Sequence, residues 1–162
     1  MSFNAVPSDR RRRFALLGLV ALGGCGFTPL YGTGGAGRAL QGQLQFATPE
    51  TELGFRVRRA LVVRFGEPEA SASEVSIALS ETSSAAAVTS DGDTTRFDIT
   101  GIANWSVPST GLSGKVQSFT GYSATGSTVA TQAAERDARA RLAQILSDQL
   151  AVDLIVALGA SS

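Results

Sequence analysis

Cys25 is the residue in this chain whose side chain is best placed for chemistry, and it is the only cysteine among 162 residues. It follows Leu22-Gly23-Gly24, and an apolar residue and two small residues ahead of a cysteine resemble a bacterial lipobox. In a lipobox the cysteine is lipidated and becomes the first residue after cleavage. A single cysteine has no intramolecular disulfide partner. We therefore expect Cys25 to carry a covalent lipid, with no other cofactor.

The segment ahead of Cys25 has the layout of an export signal. Four arginines, Arg10–Arg13, precede an apolar run over Phe14–Leu22. Positive charge favours the cytoplasmic side of a membrane, and the run is far shorter than the roughly 20 residues that span a bilayer. We interpret residues 1–24 as a signal peptide that is removed. The alternatives are a plain signal peptide and a buried helix that carries a cysteine by chance. A loose similarity to a twin-arginine signal leaves the export route open, Sec or twin-arginine.

Composition excludes most classes of enzyme. The chain has no histidine, so Cys/His metal clusters and His-based triads are excluded. Lys115 is the only lysine, and no catalytic motif surrounds it. Without residues 1–24, the 14 basic and 14 acidic residues become 10 and 13, which is a net charge of −3. This mildly acidic balance does not indicate nucleic acid as a partner, and we expect no enzymatic activity.

Glycines dominate the stretch after Cys25, and we interpret residues 25–37 as a flexible tether that carries the lipid. No strand precedes these glycines and no Gly-Lys-Ser/Thr follows them, so a phosphate-binding loop is rejected. The remaining residues, 38–162, have the size of one domain.

The first part of this domain predicts a strand and then a helix. Apolar residues separated by polar ones predict a strand over 38–46. Thr48-Pro49 predicts the start of a helix over about 48–65, because threonine can cap and proline is favoured at the first helical position. The helix is rich in arginine, which allows two interpretations. It presents either a solvated face with Glu52 and Arg56 paired at i, i+4 or an anion site for phosphate or lipid headgroups.

The middle of the domain alternates with period two, which is typical of strands. A first strand starts at Glu74, and its Ser/Ala-rich continuation extends it past a bulge to Val88. Asp91-Gly92 predicts a hairpin. The clearest alternation covers 97–107, and a less regular strand covers 112–123. Two consecutive hairpins make these three strands an antiparallel meander.

Apolar residues at three- and four-residue spacing predict an amphipathic helix over about 129–158. The order β-α-β-β-β-α predicts a two-layer α/β sandwich (α+β), with a mixed or antiparallel four-stranded sheet and two helices on one face. The opposite face of the sheet would present serine, threonine, asparagine and small residues. Such a face suits contact with water or with the polar wall of another protein.

Both ends of the mature chain carry stretches with a familiar pattern. One is Cys25-Gly26-Phe27-Thr28-Pro29-Leu30-Tyr31-Gly32, directly after the lipobox. The other runs from Tyr122-Ser123 through Ala133-Ala134-Glu135-Arg136-Asp137-Ala138-Arg139 into a leucine-rich helix. Together with the order of elements, these stretches resemble the LptE family of lipopolysaccharide-assembly lipoproteins.

The resemblance implies an outer-membrane protein, anchored through Cys25 on the periplasmic side. Such a protein plugs the LptD β-barrel, assists its assembly and helps deliver lipopolysaccharide to the outer leaflet, without catalysis. Gly26 after the cysteine is compatible with sorting to the outer membrane. No matched motif identifies lipopolysaccharide contacts, but Arg96 and Lys115 are candidates because their cationic groups suit phosphate.

The alternative function is a lipid-tethered periplasmic binding module for a small ligand or for peptidoglycan. This function requires a concave pocket with convergent polar groups, whereas a plug is convex.

Overall fold

The computed structural model of the protein describes residues 36–90 and 92–160. Cys25, the signal peptide and residues 25–35 of the expected tether lie outside the described residues, as does Asp91 of the predicted hairpin. The elements in chain order are α1 (Ala36–Ala39), β1 (Leu44–Ala47), α2 (Glu52–Phe65), β2 (Ser73–Val88), β3 (Thr94–Val107), β4 (Leu112–Ser123) and α3 (Thr128–Gly159). The predicted order β-α-β-β-β-α is confirmed, and the short helix α1 precedes it.

The four described strands form one sheet in the order β1-β2-β3-β4. β1 is parallel to β2, whereas the β2–β3 and β3–β4 pairs are antiparallel. α2 connects the two parallel strands and packs beside α3, where Arg64 Nη2 lies 3.0 Å from Asp148 Oδ1. The predicted α+β sandwich, with a mixed sheet and its two long helices in one layer, is therefore confirmed.

The start of the domain differs from the prediction. The strand expected over 38–46 is wrong ahead of Leu44, because α1 occupies its first residues and Gly42 then turns the chain. Gly42 has a φ of 72°, a left-handed conformation that glycine adopts readily. Its N–H donates to the carbonyl oxygen of Phe65 at 2.7 Å. This hydrogen bond holds the start of β1 against the end of α2.

The predicted start of the first long helix is also wrong. Thr48-Pro49 precedes the helix, which begins at Glu52. Thr51 is the N-cap, and its Oγ1 accepts a hydrogen bond from the Gly54 N–H at 3.1 Å. The Thr51 N–H donates to the Pro49 carbonyl at 2.8 Å, so this proline closes a turn ahead of the helix. Thr48 and Thr51 are both of a residue type that caps helices, but the turn at Pro49 makes Thr51 the N-cap of α2.

β2 is the longest strand, and it reaches Val88 as predicted. Its register with β3 shifts near Ala85 and Ala87, where the extended strand was expected to pass a bulge. Among the described residues only Ser73–Ser76 of β2 pair with β1. The longer part, 77–88, therefore pairs with β3 alone.

The alternation of β3 and the leucine spacing of α3 meet in the core. Ile99, Ala103 and Trp105 are buried on the helix-facing side of β3, as predicted. The buried stripe of α3 that covers them includes Ala138, Leu142, Leu146, Leu150 and Leu154. Ile145 shares the same sequence pattern, but its side chain is exposed at the edge of the stripe. The stripe is therefore narrower than the sequence indicates.

A glycine in β3, Gly101, lets α3 lie close to the sheet. Gly101 is buried and faces the helix, and a Cβ atom there would lie 2.8 Å from Leu146 Cδ1 and 3.0 Å from Leu142 Cδ2. Carbon atoms in contact prefer a separation of about 3.5–4.0 Å. The two leucines therefore occupy the space that a side chain at position 101 would need.

A similar close approach surrounds the only tryptophan. A Cβ atom on Gly114 of β4 would lie 2.7 Å from the Trp105 ring. The Trp105 Nε1–H donates to Asp153 Oδ2 of α3 at 2.8 Å, which satisfies the polar group of a buried indole. Asp153, the only charged residue near the end of α3, is thus a specific link between helix and sheet.

We expect Gly101→Ala to lower the free energy of unfolding by about 1–3 kcal/mol, because the added methyl group overpacks the Leu142 and Leu146 contact. Urea denaturation followed by the fluorescence of Trp105 measures this change. Ser80→Thr is the matched control, since it adds one methyl group to an exposed residue of β2 and should change the stability by less than about 0.5 kcal/mol. Equal stabilities for the two variants would contradict the close approach.

Candidate functional site

The face of the sheet that points away from α2 and α3 is the candidate site, and we call it the open face. The pairing register assigns to it the alternate residues of three strands. They are Ser76, Ala78, Ser80, Thr82 and Ser84 of β2; Arg96, Asp98, Thr100, Ile102, Asn104 and Ser106 of β3; and Ser113, Lys115, Gln117, Phe119, Gly121 and Ser123 of β4. The prediction of a polar, lightly charged face is confirmed.

One large aromatic side chain stands in the middle of the open face. Phe119 is 68% exposed and lies opposite Thr100, which in turn lies opposite Thr82. Hydroxyl groups can exchange hydrogen bonds with water for hydrogen bonds with a polar partner. The phenyl ring adds apolar area whose burial is favourable on contact. The open face therefore suits a partner surface that is mostly polar and has one apolar position.

The two sequence candidates for phosphate contacts, Arg96 and Lys115, both lie on the open face but not in one site. Lys115 is opposite Asn104, eight residues along β3 from Arg96. At about 3.3 Å per residue, the two positions are roughly 26 Å apart. Lys115 is exposed, and within the described part of the chain it has no ion pair or hydrogen bond through its side chain. The two cations therefore offer separate contacts.

Arg96 has a neighbour that the sequence analysis missed. Its Nε lies 3.5 Å from Asp98 Oδ1, an oxygen that is buried and makes no hydrogen bond among the described residues. The guanidinium lies over Gly121, where a Cβ atom would be 2.9 Å from Arg96 Nη2. Positions 96 and 98 are two apart in a strand and so share a face, which is the signal that would have revealed the pair. Asp98 partly neutralises Arg96 and leaves its outer side exposed.

On the helix side of the sheet, the arginines that line a groove of about 350 Å³ form ion pairs with carboxylates. Arg139 Nε donates to Glu81 Oε1 of β2 at 2.7 Å, and this hydrogen bond raises the pKa of Arg139. Arg56 Nη2 donates to Glu52 Oε1 at 2.8 Å, and this hydrogen bond holds the pKa of the Glu52 carboxyl below its usual value. The predicted Glu52–Arg56 pair is therefore confirmed, and these arginines are not free to bind an anion.

Five grooves on the described surface are open to solvent, and their volumes range from about 350 to 650 Å³. No group of three or more His, Cys, Asp or Glu residues that could hold a metal ion occurs among residues 36–90 and 92–160. These open grooves fit a convex body better than a module with a concave ligand pocket.

α3 is long and apolar enough to meet a simple criterion for a membrane-spanning helix. An 18-residue window within Thr128–Gly159 has a mean hydropathy of 1.5. Half of that window is buried inside the domain, where its leucines form the core. Its hydrophobicity is therefore already used in packing against the sheet.

Comparison with known proteins adds a family and a fold. Residues 41–154 match the family model described as LptE, lipopolysaccharide-assembly. Among curated proteins, none matches the chain.

Solved structures with the same fold include several bacterial lipoproteins. A protein of Caulobacter crescentus CB15, described as a lipoprotein, is 20% identical with a TM-score of 0.56, over 77% of this chain and 96% of the other. The rare lipoprotein B of Shewanella oneidensis is 11% identical with a TM-score of 0.54, over 74% and 96%. Lipoprotein B of Nitrosomonas europaea is 11% identical with a TM-score of 0.52, over 74% and 84%. At these identities the likeness establishes the fold.

Proposed function

The chain belongs to the LptE family of lipopolysaccharide-assembly proteins, and from this premise we propose that it plugs an LptD-type outer-membrane β-barrel and assists the assembly of that barrel. In this role it helps deliver lipopolysaccharide to the outer leaflet and performs no catalysis. The observation that carries the proposal is the family match over 41–154, which includes all four described strands and both long helices except for the last residues of α3, 155–159.

The open face supports the plug. The interior of a wide outer-membrane barrel is polar, and the hydroxyl groups of β2, β3 and β4 can form hydrogen bonds with such a wall. Phe119 supplies an apolar contact at the centre of that surface. The alternative, a binding module for a small ligand or peptidoglycan, is less well supported because the grooves are open and the arginines of the helix-side groove pair with carboxylates.

We propose that Phe119 is a central contact with the barrel. Affinity purification of the tagged lipoprotein in mild detergent should recover a large barrel protein, and Phe119→Arg should reduce its recovery about tenfold, as expected for the loss of roughly 1.4 kcal/mol. Val129→Arg is the matched control, since Val129 is also exposed but lies at the start of α3. Recovery of no barrel with the unmodified protein would contradict the proposal.

The same variants test the cellular role. Depletion of the protein should lower the amount of lipopolysaccharide at the cell surface, and Val129→Arg should restore it better than Phe119→Arg. Unchanged surface lipopolysaccharide after depletion would refute a role in its delivery.

We also propose that Cys25 is acylated and anchors the domain to the periplasmic side of the outer membrane. One acyl chain holds a protein only marginally, whereas several chains on one cysteine hold it firmly. Cys25→Ala should abolish incorporation of labelled palmitate and release the protein from the membrane fraction. Thr28→Ala, three residues later, should retain both. Continued labelling of Cys25→Ala would contradict the assignment.

Arg96 and Lys115 are proposed as contacts for two separate lipopolysaccharide phosphates. Arg96→Gln and Lys115→Gln should each weaken lipopolysaccharide binding about fivefold, the equivalent of roughly 1 kcal/mol for one charged hydrogen bond. Titration of the purified protein with lipopolysaccharide at fixed salt measures the change. Arg141→Gln is the control, because Arg141 pairs with Asp137 on α3. Equal effects of all three substitutions would contradict specific contacts on the open face.

A further inference from the structure

α2 concentrates positive charge in an otherwise acidic domain. It contains one acidic residue, Glu52, and four arginines, a net charge of +3. The chain after residue 24 has a net charge of −3. This helix therefore carries an electrostatic surface opposite in sign to the rest of the protein.

Part of this surface combines arginines with exposed apolar side chains. Phe55 and Val63 are 54% and 80% exposed and lie eight residues apart, with Arg59 midway between them. Spacings of four residues place side chains on one side of a helix. Arg58 and Val62 complete the surface, which we call the arginine stripe: Phe55, Arg58, Arg59, Val62 and Val63. Four of the stripe residues are exposed, whereas Val62 is half-buried and packs against the core. The fully buried side of α2 is formed by other residues.

The two arginines of the stripe differ from their neighbours in α2. Arg56 pairs with Glu52, and Arg64 pairs with Asp148. Neither Arg58 nor Arg59 has a carboxylate partner within 36–90 and 92–160. The Arg58 guanidinium carbon lies 5.7 Å from the centre of the Phe55 ring, which keeps the cation close to the apolar part of the surface.

Two shallow grooves follow the stripe. One, of about 650 Å³, is lined by the stripe residues together with part of β1, and Glu67 is the acidic residue at its margin. The other, of about 470 Å³, lies between α2 and α3 and also includes Arg59 and Val63. A cationic surface with apolar side chains and shallow relief suits a layer of anionic headgroups rather than one enclosed ligand.

We propose that the arginine stripe docks on an anionic phospholipid surface. Guanidinium groups bind phosphate oxygens in a bidentate geometry, and Phe55 and Val63 enter the boundary between headgroups and acyl chains. Each basic residue near an anionic surface contributes about a fivefold gain in affinity.

The path of the chain places the stripe near the membrane, and this step rests on the proposed acylation of Cys25. Residues 26–35 connect the acylated cysteine to α1, so the described domain begins at most about 40 Å from the anchor. Shortly after α1 the chain lies beside the end of α2, because the Gly42 N–H donates a hydrogen bond to the Phe65 carbonyl oxygen. Val63 is two residues from this point. The connection to the anchor therefore joins the domain beside the end of α2 that carries Val63.

The experiment uses the acylated full-length protein in phospholipid nanodiscs, with a single introduced thiol. Acylation blocks Cys25, so Val63→Cys or Val88→Cys can each carry one polarity-sensitive dye. Both valines are exposed, and Val88 lies at the far end of β2. In discs that contain phosphatidylglycerol, the emission of the dye at position 63 should shift to the blue, with no shift at position 88. Discs of phosphatidylcholine alone should leave both unchanged.

Substitution of the two arginines separates docking from simple proximity. Arg58→Gln with Arg59→Gln should abolish the shift at position 63, whereas Arg136→Gln, an exposed arginine of α3, should leave it intact. Equal shifts at positions 63 and 88, or a shift that survives loss of both arginines, would overturn the proposal. A shift produced by inorganic phosphate in neutral discs would overturn it in favour of a free-phosphate site.

The two proposals fail in distinguishable ways. A protein that does not enter the discs because Cys25 carries no lipid would overturn the docking proposal together with the acylation on which it rests. Failure to recover a barrel protein would affect the plug alone, because the nanodisc contains no barrel.

Discussion

The close approach of α3 to the sheet at Gly101 is the constraint on which the rest of the structure depends. Leu142 and Leu146 fill the space over a strand position that has no side chain, and the leucines further along the helix then reach the core. With α3 fixed over one face, α2 completes the same layer by burying Leu53, Val57, Leu61 and Phe65. The Arg64–Asp148 pair also links the two helices. The other face of the sheet is thereby left uncovered by the two long helices.

The sequence predicts this architecture well where a hydrophobic pattern is compatible with only one arrangement of buried residues. The alternation of β3 places Ile99, Ala103 and Trp105 on the covered side, and a one-residue shift of the register would move all three to the open face. The family resemblance is likewise confirmed by the match over 41–154, which includes the C-terminal stretch that carries it, whereas the N-terminal stretch lies ahead of the matched residues. Prediction is weaker where two residues could each cap a helix, as Thr48 and Thr51 could at the start of α2. The turn closed by Pro49 then determines which of them is the N-cap.

The candidate site is predicted by residue type but not by distance. Arg96 and Lys115 are chosen for their cationic groups, and the strand register places both on one face of the sheet. Their separation follows only from the pairing of β3 with β4, and the salt bridge of Arg96 with Asp98 depends on side-chain conformation. Which arginines remain free likewise depends on contacts between elements, such as that of Arg139 with Glu81 across the α3–β2 interface.

The shortness of β1 has a consequence for the solubility of the domain. β1 covers only Ser73–Ser76, so the backbone amide and carbonyl groups along one edge of the longer part of β2 lack a neighbouring strand among the described residues. Such an edge can recruit a strand from another molecule and start aggregation. The irregular register near Ala85 and Ala87, together with a run of small and hydroxyl side chains, makes this edge a poor template. The uncovered edge of β2 is therefore less prone to pair with a strand of another molecule than its length indicates.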